Sequence, residues 1–222
     1  PPSRKGARMN YAELSMAISD WLNKDSIDKV MPTIIRFGQR DLEDNLRIRP
    51  MEYHPATASL NAGEDALALP SDFLELIFLV LIKDNVRYVV DGRESSRVIY
   101  TERPSTTETG LPRRVARVAD DLVFEVLTDV AYTRDWSYYR RLPVLVASAA
   151  GTPAGNSNWW SEYAEEAFLF SCLNKLSLYV SGITEGDKKK WELSYLSARE
   201  NLRLRFAKEE TGGATHRSTP FS

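Results

Sequence analysis

Apolar residues recur at α-helical spacing near both ends of the chain, whereas its middle part lacks this spacing. Asn10 and Glu13 predict the start of a first helix, because their side chains can bond the free N–H groups of a first turn. Pro32 favours a second helix that begins at Met31 and is ended by Pro50. The apolar stripes of these two helices consist of Leu14, Ala17, Ile18, Trp21 and Leu22 and of Ile34, Ile35, Gly38, Leu42 and Leu46.

A second pair of helices is predicted after residues 151–158, a connector rich in Gly, Pro, Ser and Asn. Gly182 is expected to end the first of them. Thr184 with Asp187 is a capping-box signature for the second. The apolar stripes consist of Leu169, Leu173, Leu176 and Val180 and of Trp191, Tyr195, Ala198, Leu202 and Phe206. We expect the two helices to form an antiparallel hairpin.

The middle of the chain has the pattern of short β-strands. The apolar run at residues 73–82 is too short for a buried helix and predicts a central strand. Residues 115–118 and 122–127 are predicted to form a hairpin, with residues 130–139 as a third strand of the same meander. Residues 93–100 are predicted to form one or two helical turns.

The composition predicts a globular protein without a strong charge field. Hydrophobic residues make up 43% and charged residues 27% of the 222 residues, and the formal net charge is −2. This balance argues against tight binding of nucleic acid, but it is compatible with a surface past which DNA slides. The single cysteine, Cys172, excludes an intramolecular disulfide, and its apolar neighbours predict a buried, inert thiol in a reducing cytoplasm.

Few residues have the pattern of catalytic or metal-binding groups. His54 and His216 are the two histidines, and neither has a ligand partner three or four positions later. Residues 151–155 lack the Gly-Lys-Ser/Thr ending of a phosphate-binding loop, and no Gly-x-Ser-x-Gly motif is present. Acidic pairs such as Glu165 and Glu166 are predicted to be solvated. We therefore predict no catalytic residue, no metal site and no cofactor.

Both ends of the sequence are polar. Residues 1–8 precede Met9 and are predicted to be a disordered basic leader or a processing remnant. Residues 212–222 are predicted to form a tail that is disordered in the free subunit. No apolar run approaches the roughly 18 residues that span a bilayer, so no membrane association is expected.

Short motifs occur along the chain in an order that resembles one protein family. They are Met-Pro-Thr-Ile-Ile at 31–35, Leu-Arg-Ile-Arg-Pro-Met-Glu at 46–52, Leu-Pro-Ser-Asp-Phe at 69–73, Tyr-Tyr-Arg-Arg-Leu-Pro-Val-Leu at 138–145, Asn158-Trp159, and Trp191 with Tyr195. In this order they resemble the head-to-tail adaptor, or connector, proteins of tailed podovirus-like bacteriophages, over about residues 9–210. Gln39 departs from the family pattern, in which an acidic residue is expected.

The resemblance implies an α+β fold. A helical bundle formed by the N- and C-terminal helices would accompany a central antiparallel β-rich part and a flexible C-terminal tail. The expected divisions are residues 1–50 for the N-terminal helical segment, 51–150 for the β-rich part, 151–210 for the helical hairpin that packs on the N-terminal helices, and 211–222 for the tail.

The resemblance also implies a structural role without enzymatic activity. Copies of the chain would form a twelvefold ring under the portal protein, extend the DNA channel and give the tail its attachment platform. Expected partners are the portal, a tail nozzle or tail tube protein, other copies of the chain, and genomic DNA that passes without sequence-specific binding. The location would be the head-tail interface of the virion, after assembly in the host cytoplasm.

Individual residues are assigned to these contacts by position. The resemblance places the portal contact on the terminal helix and tail, with Lys208, Arg217 and Phe221 as candidates. The candidates for subunit or tail interfaces are Arg36, Arg40, Arg47, Tyr138, Tyr139, Trp159 and Trp160. Three alternatives stay open: another head- or tail-completion protein, a metal-dependent hydrolase, and an interaction module of a host.

Overall fold

The computed structural model describes residues 9–22, 27–90, 92–102, 107–147 and 157–210. Several predicted features lie outside these residues: the leader at 1–8, most of the connector at 151–158, and the tail at 212–222.

Helices lie toward both ends of the described chain, and short strands lie between them. The helices are α1 (Tyr11–Leu22), α2 (Met31–Asn45), α3 (Ser96–Glu102), α4 (Trp159–Tyr163), α5 (Glu165–Leu176) and α6 (Glu185–Glu210). The strands are β1 (Glu52–Tyr53), β2 (Ala58–Leu60), β3 (Ala66–Ala68), β4 (Phe73–Lys83), β5 (Val86–Val89), β6 (Gly92–Arg93), β7 (Thr109–Gly110), β8 (Arg114–Val118), β9 (Asp121–Phe124), β10 (Leu127–Thr128) and β11 (Tyr132–Arg140). This order confirms the predicted α+β class.

The chain divides into two compact units. Among the described residues, those up to 49 and from 142 onward form the first, which we call the helical unit, and those from 50 to 141 form the second, the β-rich unit. Within the described residues, the helical unit contains all the helices except α3, and the β-rich unit contains the strands and α3.

The two N-terminal helices begin where the sequence predicts. The N–H of Glu13 donates to Oδ1 of Asn10 (3.0 Å), and the N–H of Asn10 donates to Oε2 of Glu13 (2.8 Å), which is the predicted cap. Helix α2 begins at Met31 and ends at Asn45, not at Pro50. The predicted end was wrong because Leu46 already has an extended backbone, with φ −124° and ψ 141°.

Helix α2 packs closely against α5 at Gly38. A Cβ atom at this position would lie 2.7 Å from Sγ and 3.0 Å from the backbone nitrogen of Cys172. The hydroxyl of Ser171 donates to the carbonyl of Gly38 (2.9 Å), which joins the two helices at the same point. Glycine is therefore required here by the close approach of two backbones.

Helix α5 also packs against α6. The N–H of Asp187 donates to Oγ1 of Thr184 (3.1 Å), so the predicted cap of α6 is confirmed. Helix α5 ends at Leu176, earlier than the predicted stop at Gly182. Gly182 instead adopts a φ of 87° in the turn that follows, a conformation that favours glycine.

The β-rich unit is organised around two long antiparallel strands, β4 and β11. Strand β4 lies between β11 and β5 and is central, as predicted for residues 73–82. Trp136 on β11 is opposite Leu79 on β4. Both side chains are buried in a core cluster that also contains Phe73 and Tyr138.

A second sheet has the strand order β3-β9-β8-β6. Strands β8 and β9 form the predicted antiparallel hairpin, and α3 confirms helical turns near residues 93–100. The prediction that residues 130–139 join this hairpin was wrong, because β11 pairs with β4, β1 and β2 in the other sheet. Strand β9 has no free edge for a third strand, since β3 and β8 already pair with its two sides.

Candidate assembly surface

A buried polar network joins α2 to residues 142–145 and to the start of α4. The Gln39 side chain is 1% exposed, and its Nε2 donates to Oε1 of Glu43 (2.9 Å) and to the carbonyl of Leu142 (3.0 Å). Its Oε1 accepts from the backbone N–H of Leu145 (3.1 Å) and from Nδ2 of Asn158 (2.9 Å). The amide therefore acts as donor and acceptor at once, which a carboxylate cannot do.

Glu43 is the acidic member of this network and is almost completely buried. Besides the bond from Gln39, its Oε1 accepts from the backbone N–H of Leu142 (3.1 Å) and from Nε1 of Trp160 (3.4 Å). Burial of a carboxylate is costly unless hydrogen-bond donors surround it. Three N–H groups supply that compensation here, and they fix the fully buried Trp160 ring against α2.

The network also determines how residues 142–147 run across the helical unit. Asn158 caps α4 through a reciprocal pair of bonds with Ser161, and its Nδ2 donates to the carbonyl of Pro143 (3.0 Å). Leu142 and Leu145 point inward, whereas Val144 and Val146 are 43% and 52% exposed. The buried amides thus hold two valines at the surface.

A shallow groove of about 280 Å³ lies between this segment and the first turns of α2. Its lining is mainly apolar, with one arginine at its border. The lining residues are Pro32, Thr33, Arg36, Val144, Leu145, Val146 and Ala147.

Helix α6 is apolar on two opposite faces. The buried face carries the predicted stripe of Trp191, Tyr195, Ala198, Leu202 and Phe206. At 3.6 residues per turn, the opposite face carries Leu193, Leu196 and Leu204, which are 58%, 39% and 48% exposed. We call these three side chains the outer leucine stripe. A helix in a soluble protein normally has a polar outer face, so this stripe is a candidate contact surface.

An internal ion pair lies within the outer leucine stripe. Arg203 donates from Nε and Nη2 to the two carboxylate oxygens of Glu200, at 2.9 and 2.8 Å. The hydrogen bond with Arg203 lowers the pKa of Glu200, and the same bond raises the pKa of Arg203. The two charges in the stripe therefore neutralise each other.

Comparison with known proteins decides the family. The model of the SU10 adaptor protein family matches residues 9–218. The chain belongs to this family. A search of curated proteins found no match. The family consists of structural adaptor proteins of bacteriophages, and the match includes the network, the groove and the outer leucine stripe.

The predicted arginines of this adaptor chain have different environments. Arg36 and Arg40 are exposed on the outer face of α2. Arg36 lies over the ring of Phe37 at 5.8 Å. Arg47 is half-buried and donates from Nη1 to the carbonyls of Glu43 (2.6 Å) and Leu46 (3.0 Å). Arg47 therefore caps the C-terminal end of α2, which is a role within the subunit.

The predicted aromatic residues fall into two groups. Tyr138 and Trp160 are buried in the cores of the β-rich and helical units, respectively, so neither ring is available to another protein in this structure. Tyr139 and Trp159 are half-buried. The Trp159 ring lies 5.1 Å from that of Trp160 and packs against Phe206 of α6 at 5.7 Å.

The predicted portal-binding residues are only partly described. Lys208 is exposed in the last turns of α6. Arg217 and Phe221 lie outside the described residues.

Three further features concern the thiol, metal binding and membrane crossing. Cys172 is fully buried, and burial raises the pKa of its thiol. Among the described residues, no group of three or more His, Cys, Asp or Glu side chains could hold a metal ion. No helix in this part of the chain has the length and apolar character needed to cross a membrane.

The sequence reasoning missed the network and the outer leucine stripe. Gln39 and Glu43 are four residues apart and share the inward face of α2 with its apolar stripe, which was the available signal. Leu193, Leu196 and Leu204 also follow helical spacing, but on the face opposite the stripe that was predicted.

Proposed function

We propose that the chain is a head-to-tail adaptor whose copies form a ring under the portal of a tailed bacteriophage. The ring extends the DNA channel and provides the platform to which a tail nozzle or tail tube protein attaches. The protein is located at the head-tail interface of the virion, after assembly in the host cytoplasm. The observation that carries this proposal is the family match over residues 9–218.

The surface of the helical unit supports a role in assembly. A ring requires two different patches on each subunit, because each copy meets its neighbours through unlike surfaces. The outer leucine stripe and the groove beside α2 are two such patches, and they lie on different elements. Exposed apolar side chains that are grouped on one face are typical of protein contact surfaces.

The charge of the chain supports passage of DNA without sequence-specific binding. The formal net charge of −2 offers no strong basic field to retain DNA. A weakly charged ring can therefore enclose the genome without holding it. The role is structural, with no reaction catalysed.

The C-terminal segment is proposed to bind the portal, through Lys208, Arg217 and Phe221. A polar tail can become ordered on a large partner surface, where an aromatic ring and a guanidinium group serve as anchors. Deletion of residues 212–222 is expected to abolish binding to the portal of the same phage, measured by co-sedimentation.

A pair of variants tests the anchors separately from the length of the tail. Arg217→Ala with Phe221→Ala is expected to weaken portal binding about tenfold or more, a loss of about 1.4 kcal/mol. Ser218→Ala with Thr219→Ala, in the same segment, serves as the control and is expected to bind normally. Unchanged binding after the deletion would refute this assignment.

A further inference from the structure

The outer leucine stripe and the groove are two apolar surfaces of the helical unit with complementary shapes. The stripe is convex and extends from Leu193 to Leu204, roughly 16 Å along the helix at 1.5 Å per residue. The groove is concave, with Val144 and Val146 on one wall and Pro32 on the other. A ridge and a groove of matching polarity are the surfaces that two copies of one chain need in order to pack.

The positions of the two surfaces permit a repeating contact. Helix α6 directs its buried face toward the rest of the unit, so the outer leucine stripe faces away from it. The groove lies instead beside the outer face of α2, which packs on α5 through its other face. We infer that the stripe of one copy packs into the groove of the next, an inference that rests on the proposed function.

Unpaired charges at the borders favour this pairing. Glu192 lies beside Leu193 and Leu196 on α6, Arg36 lines the groove, and Arg40 follows one turn later on α2. In the described part of the chain, no ion pair involves any of these three side chains. Contact between the stripe and the groove can place Glu192 against an arginine, with the exposed Lys189 also beside Leu193, whereas a groove-to-groove contact would bring only arginines together, which is unfavourable.

The charges inside the stripe oppose the contact less than two unpaired charges would. Glu200 and Arg203 already form a two-point ion pair on the same helix. Such a pair enters an interface without an uncompensated charge on either side. The stripe is therefore an apolar ridge that is interrupted by one ion pair, between Glu200 and Arg203.

Engineered cysteines can detect this contact, because the native Cys172 is fully buried and does not compete. A variant with Leu196→Cys and Val146→Cys is treated with a short bis-maleimide, both free in solution and bound to the portal. The expected product is a ladder of dimers, trimers and higher oligomers, since each copy has one cysteine on each surface. Met16→Cys with Val146→Cys, which places the first cysteine on α1, is the matched control and is expected to give a much weaker ladder.

The single-cysteine variants distinguish the possible geometries. Leu196→Cys alone is expected to give no cross-linked dimer, and a mixture of the two single variants is expected to give dimers only. Efficient dimers of Leu196→Cys alone would show that the stripe packs against itself and would overturn the inference.

Charge reversal provides a second, independent test. Glu192→Arg alone and Arg36→Glu with Arg40→Glu are each expected to weaken self-association about tenfold, measured by analytical ultracentrifugation and by ring formation on the portal. The combination of all three changes is expected to restore part of the association. The absence of any rescue, with all variants folded by circular dichroism, would contradict the pairing.

These results separate the inference from the proposed function. Rings on the portal without a ladder from the paired cysteines would overturn this interface and leave the adaptor function intact. A wild-type chain that neither binds the portal nor forms rings would overturn the proposed function itself.

Discussion

The two units of the chain have cores of different kinds. The β-rich unit is centred on aromatic rings: the centroid of Phe73 lies 6.2 Å from that of Trp136 and 5.3 Å from that of Tyr138. The helical unit buries Gln39 and Glu43 beside its apolar side chains. An apolar core tolerates exchange between side chains of similar volume, whereas a buried polar network requires each of its partners.

This difference has a consequence for the surface. In the helical unit, the network fixes the course of residues 142–147 and keeps Val144 and Val146 exposed beside α2. The aromatic core of the β-rich unit mainly supplies apolar burial. We expect substitutions in the first unit to change assembly as well as stability, and substitutions in the second to change stability alone.

The largest loss of stability is expected from Trp136→Ala in the β-rich unit. Truncation of a buried tryptophan removes apolar contacts and leaves a cavity, at a cost of about 3–5 kcal/mol in the free energy of unfolding. Urea unfolding followed by circular dichroism measures the loss. Tyr100→Ala, at an exposed position on α3, is the control and is expected to change the free energy by less than about 0.5 kcal/mol. A loss below about 1 kcal/mol for Trp136→Ala would show that the aromatic core does not dominate the stability of the β-rich unit.

Gln39→Glu in the helical unit is expected to lower the free energy of unfolding by a smaller amount, about 3 kcal/mol at neutral pH. The new carboxylate cannot donate to Leu142, and it would lie against Glu43. Asn201→Asp makes the same amide-to-acid change at an exposed position of α6 and is expected to have little effect.

The Gln39→Glu loss should depend on pH with a definite sign. Burial and the adjacent carboxylate raise the pKa of the new acid above its unfolded value of about 4.3. The folded state then holds a proton that the unfolded state releases, so stability falls as the pH rises from about 4 toward the raised pKa. A loss that grows at acidic pH instead would contradict the role of the network.

The smallest loss is expected from Tyr138→Phe, which should lower the free energy of unfolding by about 1 kcal/mol at neutral pH. The Tyr138 hydroxyl donates to Oδ1 of Asp72 (3.2 Å), and burial together with Asp72 raises the pKa of Tyr138 to about 12. Since an unfolded tyrosine ionises near pH 10, wild-type stability should fall between about pH 10 and 12 as the unfolded state loses the proton first. The variant should lack this part of the alkaline loss, whereas Tyr163→Phe, at an exposed site, should keep it. Equal alkaline slopes for both variants would contradict the raised pKa.

Local signals made much of the secondary structure predictable. The caps at Asn10 and Thr184 and the start of α2 at Met31 depend on neighbouring residues alone, and the structure confirms them. The strand near residues 130–139 was also predicted, but not its sheet. The sheet that it joins depends on long-range pairing with β4, a strand of similar length whose other edge pairs with β5.

The candidate contact surfaces were less predictable for a related reason. Aromatic residues are common in both cores and interfaces, so sequence alone did not reveal that Tyr138 and Trp160 are buried. The groove could not be predicted, because it depends on hydrogen bonds from Gln39 to residues more than 100 positions away. Exposed Arg36 and Arg40 were found from their position opposite the apolar stripe of α2.

Electron microscopy of the purified chain mixed with the portal of its phage tests the central claim most directly. The adaptor function predicts a closed ring of copies at the lower rim of the portal, with an open central channel. Portal particles that carry no additional density, at chain concentrations well above those of the portal, would contradict it.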